Sequence, residues 1–347
     1  AFSPDGTKVA YGRMNNLFIK DLISGATKQI TFDGEKNKII NGITDWVYEE
    51  EFAFVRAFEW NASSNKIAFI RFDETEVPEF SMDIYGTDLY QTQEVFKYPK
   101  AGEKNAEVSL HFYDLNADQI STVALSKDYN DFYIPRIKWT KDSDILSAQY
   151  MNRHQNNLDL WLINPTTNKA DLVLTEKDDA YVDVTDNLTF LKDNSFIWTS
   201  EKDGFNHIYH YTNEGKLKNQ ITKGDWEVTA YYGYNESAKT IYYQSVENGS
   251  INRDVYSIRL NCKNKKRLSL EEGTNDASFS ADFTYFIKTY SSATTPQKFT
   301  LNDSKSGRLV KNIKDNSALL ETLGTYKFSN KEFSTINVNG NDLNMWM

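Results

Sequence analysis

Three consecutive carboxylates, Glu49, Glu50 and Glu51, carry the most chemistry in this sequence. They sit in Asp45-Trp46-Val47-Tyr48-Glu49-Glu50-Glu51-Phe52, among large apolar residues, and adjacent acids repel one another. Tyr48, Phe52 and Val55 fall at i, i+4 and i+7, the spacing of one face of a short helix. On that helix Glu50 and Glu51 point about 100° apart, so their carboxylates can reach one cation from two sides. An ammonium has three donors and no acceptor, and two carboxylates satisfy it well. A plainer role fits the same residues, because acids favour the first turn of a helix. Residue types alone leave both readings standing.

Other reactive groups are sparse. A serine hydrolase needs an activated serine on a tight turn with an aspartate and a histidine, and no Gly-x-Ser-x-Gly occurs here. The four histidines, His111, His154, His207 and His210, accompany no nucleophile signature and read as hydrogen-bonded or exposed strand residues. His207 and His210, three apart in a strand pattern, point to opposite faces and cannot share a metal. No Cys/His cluster suggests zinc. Asp5, Asp142 and Asp193 recur in turns, where side-chain-to-backbone hydrogen bonding accounts for them. No metal and no cofactor is expected. The single cysteine, Cys262, forbids an internal disulfide and reads as a small buried apolar residue.

The elements that must hold these residues are strands. The chain has 347 residues, and 39% hydrophobic content suffices for a core. Aromatics reach 14%, with 21 Tyr and 21 Phe, which favours strands. Net charge is −10, from 39 basic and 49 acidic residues, which argues against a nucleic-acid partner. No apolar window approaches the ~18 residues of a membrane span. The opening Ala1-Phe2-Ser3-Pro4-Asp5-Gly6 reads as the middle of a strand and turn, so the chain is expected to be cut at both ends.

A degenerate repeat organises the rest. Each unit opens on an aromatic residue and a turn with Asp or Asn, then runs into an apolar strand. The openings begin at Phe2, Trp60, Trp139, Phe190, Tyr234 and Phe279. The later ones recur at about 45–50 residues, the period of propeller blades with four strands each. Two intervals are too long and predict insertions at 31–58 and 73–106. The second includes the aromatic-rich stretch Val77–Asn105. A short helix is expected near 316–323. Lys327–Met347 breaks the repeat and reads as a hairpin around Asn339-Gly340.

The run Asn41-Gly42-Ile43-Thr44-Asp45-Trp46-Val47-Tyr48-Glu49-Glu50-Glu51 resembles the double-glutamate motif of the dipeptidyl peptidase IV family of serine exopeptidases. Asp73-Glu74-Thr75-Glu76-Val77-Pro78, Tyr98-Pro99-Lys100-Ala101-Gly102 and Asp315-Asn316-Ser317-Ala318-Leu319 extend the resemblance in the family's order. The resemblance implies an all-β fragment of an eight-bladed β-propeller over residues 1–326, with six to seven blades in view. Residues 327–347 would lead toward an α/β-hydrolase domain absent from this chain. It maps the amine-binding glutamates onto Glu50 and Glu51, with Glu49 a structural neighbour. Tyr181 maps to an aromatic of the substrate pocket, and Phe52 is expected beside it. The family arginine that holds a substrate carbonyl maps upstream of Ala1. The whole protein would release X-Pro or X-Ala dipeptides from peptides with a free N-terminus. It would dimerise through arm 77–105, and low cysteine content points to a bacterial, periplasmic or cell-surface setting. This chain alone, without the triad, would be inactive. The competing expectation is a stand-alone propeller that binds a protein or glycan partner.

Overall fold

Trp60, Trp139, Phe190, Tyr234 and Phe279 each lie at or near the end of a strand, and Phe2 makes an isolated bridge to Val9. The Asp or Asn turn after each aromatic launches the next strand. In the computed structural model, which describes residues 1–347, these turns share one chemistry. Asp5 Oδ1 accepts from the Thr7 amide at 2.9 Å, and Asn61 Oδ1 from the Lys66 amide at 2.9 Å. Asp142, Asp193, Asn235 and Asp282 accept from amides two or three residues on, at 2.9 to 3.1 Å. The turn side chain thus replaces backbone partners that the strands leave behind.

The chain divides into two compact units, Ala1–Asp186 with Asn213–Gly215, and Asn187–Thr212 with Lys216–Met347. The first unit opens with a three-stranded sheet, β1 (Lys8–Arg13), β2 (Asn16–Asp21) and β3 (Thr27–Gln29). Then come β4 (Ile39–Asn41), the helix α1 (Trp46–Glu51), β5 (Phe58–Trp60) and β6 (Lys66–Asp73). A hairpin of β7 (Glu79–Ile84) and β8 (Thr92–Lys97) follows, then β9 (Glu107–Asp114) and β10 (Gln119–Thr122). The second sheet runs β10-β9-β6-β4, with β5 also on β6. A third, four-stranded sheet holds β11 (Phe132–Trp139), β12 (Leu146–Asn152), β13 (Asn157–Asn164) and β14 (Lys169–Lys177) in sequence order. Ala10, Leu17, Ile19, Phe58, Trp60 and Ile67 pack in one core between the first two sheets.

The pairing of β4 and β5 explains where α1 lies. Ile39–Asn41 pairs with residues 71–73 of β6, and Phe58–Trp60 pairs with residues 67–69 of the same strand. Both segments therefore run along one edge of β6, and the chain between them is thrown out as a loop bearing the helix. A bridge between Ile43 and Arg56 closes the loop's base.

The second unit contains three four-stranded antiparallel sheets, each in sequence order. They are β15 (Thr189–Phe190) to β18 (Leu217–Gln220), with β16 (Phe196–Ser200) and β17 (His207–Tyr211) between. Next are β19 (Val228–Asn235), β20 (Thr240–Ser245), β21 (Asp254–Arg259) and β22 (Lys266–Arg267). The last are β23 (Thr274–Phe279), β24 (Tyr285–Ser291), β25 (Lys298–Asp303) and β26 (Leu309–Lys314). A helix α2 (Ser317–Leu323) and the hairpin β27 (Phe333–Val338), β28 (Asn341–Trp346) end the chain. Asn339 and Gly340 have φ of 52° and 86°, the two left-handed residues that a tight hairpin turn demands.

Two expectations need correction. Val55 does not continue the helix face: α1 stops at Glu51, Ala53 adopts φ of 55°, and Val55 is 52% exposed. A left-handed residue cannot extend a right-handed helix. Cys262 is exposed instead of buried, because it sits at φ 62° in the turn between β21 and β22.

Candidate acidic anchor on α1

The helix that carries the acids is short and held from several sides. Asp45 caps it: the residue is extended, and its Oδ1 accepts the Tyr48 amide at 3.0 Å. Thr44 Oγ1 donates to the Phe54 carbonyl at 3.1 Å, fixing the chain on either side of the helix. Tyr48 is 2% exposed, and its hydroxyl accepts the Ile134 amide of β11 at 2.7 Å. Its ring meets Phe72 of β6 edge-on at 4.8 Å and Phe52 at 5.1 Å. Trp46 stacks at a tilt on Tyr98, just past the β7–β8 hairpin, at 4.2 Å.

Glu49, Glu50 and Glu51 all face solvent beyond this footing. No lysine, arginine or histidine pairs with any of them. The arginine on the adjacent β12–β13 turn, Arg153, is engaged elsewhere, with Asp131 at 3.2 Å and the Glu103 carbonyl. Glu51 Oε1 accepts from Gln155 Nε2 at 2.8 Å, and Gln155 Oε1 accepts from the Tyr181 hydroxyl at 3.0 Å. Glu49 and Glu50 make no side-chain hydrogen bond. The arrangement is an exposed acidic pair with free lone pairs and no cation of its own, which suits a cationic ligand.

Two buried carboxyls lie behind it. Burial pushes Asp45 up to about 6. Burial, then the charge of Asp45, pushes Glu74 up to about 7, while Lys97 pulls it down.

The structure therefore brings Glu50, Glu51 and Tyr181 to one side of the first unit. Tyr181 is 50% exposed and reaches Glu51 only through Gln155. Phe52, expected on the pocket wall, is 3% exposed beneath the helix, against Tyr48 and Tyr133. It caps the helix C-terminus and supports it from below. Gln155 escaped sequence reasoning. Its only signal was the polar run Asn152-Arg153-His154-Gln155-Asn156 between two strand patterns, which marks a turn and no more.

In the second unit Asp193, Ser195 and His210 share the residue types of a hydrolase triad, but their hydrogen bonds run the wrong way. Ser195 Oγ donates to Asp193 Oδ1 at 2.5 Å, so His210 Nε2, at 2.9 Å, must donate to that oxygen. A general base would accept the serine proton instead. His207 and His210 are both buried. His207 is held by Thr222 Oγ1 and the Gly224 carbonyl, each at 3.0 Å.

Against known proteins, a family model described as the dipeptidyl peptidase IV (DPP IV) N-terminal region matches residues 1–297. Dipeptidyl peptidase 4 of Trichophyton tonsurans is 31% identical over 361 residues, which cover 99% of this chain and 46% of that protein. A probable dipeptidyl-aminopeptidase B of Tuber melanosporum is 30% identical over 381 residues, covering 99% and 42%. The crystal structure of Porphyromonas gingivalis dipeptidyl peptidase 4 matches with a TM-score of 0.94 at 43% identity, over 100% of this chain and 49% of that one. The chain spans about half the length of the curated relatives it matches.

Proposed function

Because this chain belongs to the dipeptidyl peptidase IV family, as its N-terminal propeller region, we propose that Glu50 and Glu51 anchor the free α-ammonium of a peptide substrate. The observation that carries the reading is the exposed acid pair on a firmly seated helix, with no protein cation to neutralise it. The rest of the mechanism is distance. A residue spans at most about 3.3–3.6 Å, so the bond after the second residue lies roughly 7 Å from the anchored amine. A serine nucleophile held there, in an α/β-hydrolase domain beyond this chain, releases dipeptides and no other length. The carboxylates serve as a ruler and take no part in proton transfer. Selection of Pro or Ala at the second position falls to the hydrolase pocket.

Residues 1–326 then form the substrate-gating propeller region, and 327–347 the start of the passage to the hydrolase domain. Tyr181 forms part of the pocket rim. The β7–β8 hairpin within 77–105 serves as a dimer arm: Phe80, Met82 and Ile84 are each about 40% exposed, and Leu89 and Tyr90 near its tip stand almost fully in solvent. One cysteine in 347 residues and the likeness to the Porphyromonas structure support a bacterial periplasmic or surface enzyme.

The test uses the full-length protein and two chromogenic amides, Ala-Pro and N-acetyl-Ala-Pro. Acetylation removes the ammonium and is expected to abolish turnover. Equal turnover of both amides overturns the anchor. This chain alone is expected to hydrolyse neither. Deleting residues 79–97 is expected to convert a full-length dimer to a monomer in sedimentation, and an unchanged dimer refutes the arm.

A further inference from the structure

We propose that Gln155 is the positioning residue of the amine anchor and that it makes the two glutamates unequal, with Glu51 held in place and Glu50 free to close on the ligand. The inference rests on the anchor reading above.

The side-chain amide has a direction. Its nitrogen faces Glu51 Oε1 at 2.8 Å, and its oxygen faces the Tyr181 hydroxyl at 3.0 Å. The reversed amide would set its oxygen against the Glu51 carboxylate, two acceptors face to face. The acceptor-only carboxylate of Glu51 thus fixes which end of Gln155 it meets, and the Tyr181 hydroxyl donates to the other end. One of the roughly four lone-pair sites on that carboxylate is used, and the others remain for an ammonium.

The neutrality of this partner matters. A lysine or arginine at position 155 would orient Glu51 equally well but would cancel its charge and compete with the substrate. The neighbouring Arg153 is instead turned away, onto Asp131 and the Glu103 carbonyl. The backbone supports the same role. Gln155 has φ of 53°, a conformation uncommon for a long side chain, and it persists where its surroundings hold it. Its amide donates to the Asn152 carbonyl at 2.9 Å, and its carbonyl accepts the Val182 amide at 2.8 Å. That last bond also ties down the segment bearing Tyr181. Glu50 has no such partner.

The experiment is steady-state kinetics of the full-length enzyme on the free Ala-Pro amide. Gln155→Met keeps the side-chain length and removes the amide. Gln155→Asn suits the left-handed backbone better but is one methylene too short to span both partners. Both are expected to raise KM about tenfold, the worth of one hydrogen bond to a charged group, with kcat within about twofold. Tyr181→Phe is expected to give part of that loss. Added to Glu51→Gln, Gln155→Met should cost nothing more. Added to Glu50→Gln, it should cost its full factor. If Glu50→Gln and Glu51→Gln depress kcat/KM while both Gln155 variants keep the parent KM, the positioning role is refuted and the anchor stands. If the glutamate variants themselves are silent, the anchor reading fails. A Gln155→Asn variant that loses kcat and KM together, with a lowered melting temperature, marks a structural residue and also refutes the proposal.

Discussion

Asp45 holds the Tyr48 amide at 3.0 Å through a carboxyl that is itself only 6% exposed. The cap and its burial pull in opposite directions: the helix needs an acceptor there, but not a charge. Burial lifts Asp45 to about 6 from 3.8, and Glu74 to about 7 from 4.5. Both folded values lie above the unfolded ones, so the folded chain binds these protons more tightly. Their stabilising contribution is complete at low pH and is lost as pH rises from about 4 through 7. Asp45→Asn keeps the acceptor and removes the charge. It is expected to raise the melting temperature at pH 8 and to change it little at about pH 3, below the unfolded carboxyl range. Asp45→Ala loses the cap, at a cost of about 1 kcal/mol, but at the higher pH it also removes the buried charge, so it is expected to be less destabilising there than at the lower pH. Thermal unfolding at the two pH values decides, and a pH-independent effect of Asp45→Asn would contradict the assignment.

Tyr48→Phe keeps the ring among Phe52, Phe72 and Tyr133 and removes one oxygen. The Ile134 amide is then buried without a partner, at a cost of about 1–3 kcal/mol. Urea unfolding of this chain should show a lower midpoint at an unchanged slope. A midpoint equal to the parent's would mean that the hydrogen bond contributes nothing.

The three acids should separate in kinetics. In the full-length protein Glu50→Gln and Glu51→Gln are each expected to lower kcat/KM on the free Ala-Pro amide by about ten- to a hundredfold. Glu49→Gln is expected to stay within about threefold. Equal losses at all three positions would make the run a diffuse acidic patch.

Two histidines should titrate late. Burial first, with Lys218 nearby, lowers His210 to about 4, and burial with Arg71 does the same for His111. Both folded values lie below the unfolded 6.5, so their contribution is present above that pH and is lost as pH falls toward 4. This sign opposes that of Asp45 and Glu74. Imidazole NMR signals of both residues are expected to stay in the neutral form at pH 5.5, and a midpoint near 6.5 for either would contradict the burial argument.

The blade pattern was legible because its cause is local. An aromatic residue, an Asx turn and an apolar strand lie within a dozen residues of one another, and Asp5, Asn61 and Asp193 make the hydrogen bonds that their positions suggest. The family resemblance and the all-β propeller class follow from the same stretches. The seat of the glutamates was not legible, because its contacts are distant. Tyr48 meets Ile134 at a separation of 86 residues, and Glu51 meets Gln155 at 104. Ala53, not a glycine, takes the left-handed turn that ends the helix, so the pattern through Val55 read as one turn too long. Phe52 and Cys262 exchanged environments with expectation for the same reason: hydrophobicity does not say which side of a turn a residue faces.

The six-residue length of α1 has a consequence for the order of assembly. Isolated helices shorter than about 12–15 residues are marginal in water, so this one holds its shape only once Tyr48 has found β11. A chain emerging from the ribosome carries the acids as a loose acidic loop until β11 has emerged, and Gln155, on the turn between β12 and β13, follows it. The acidic pair thus reaches its final setting late in the assembly of the first unit, and if it serves as the proposed amine anchor, a half-made chain has no ready hold on the N-termini of its neighbours.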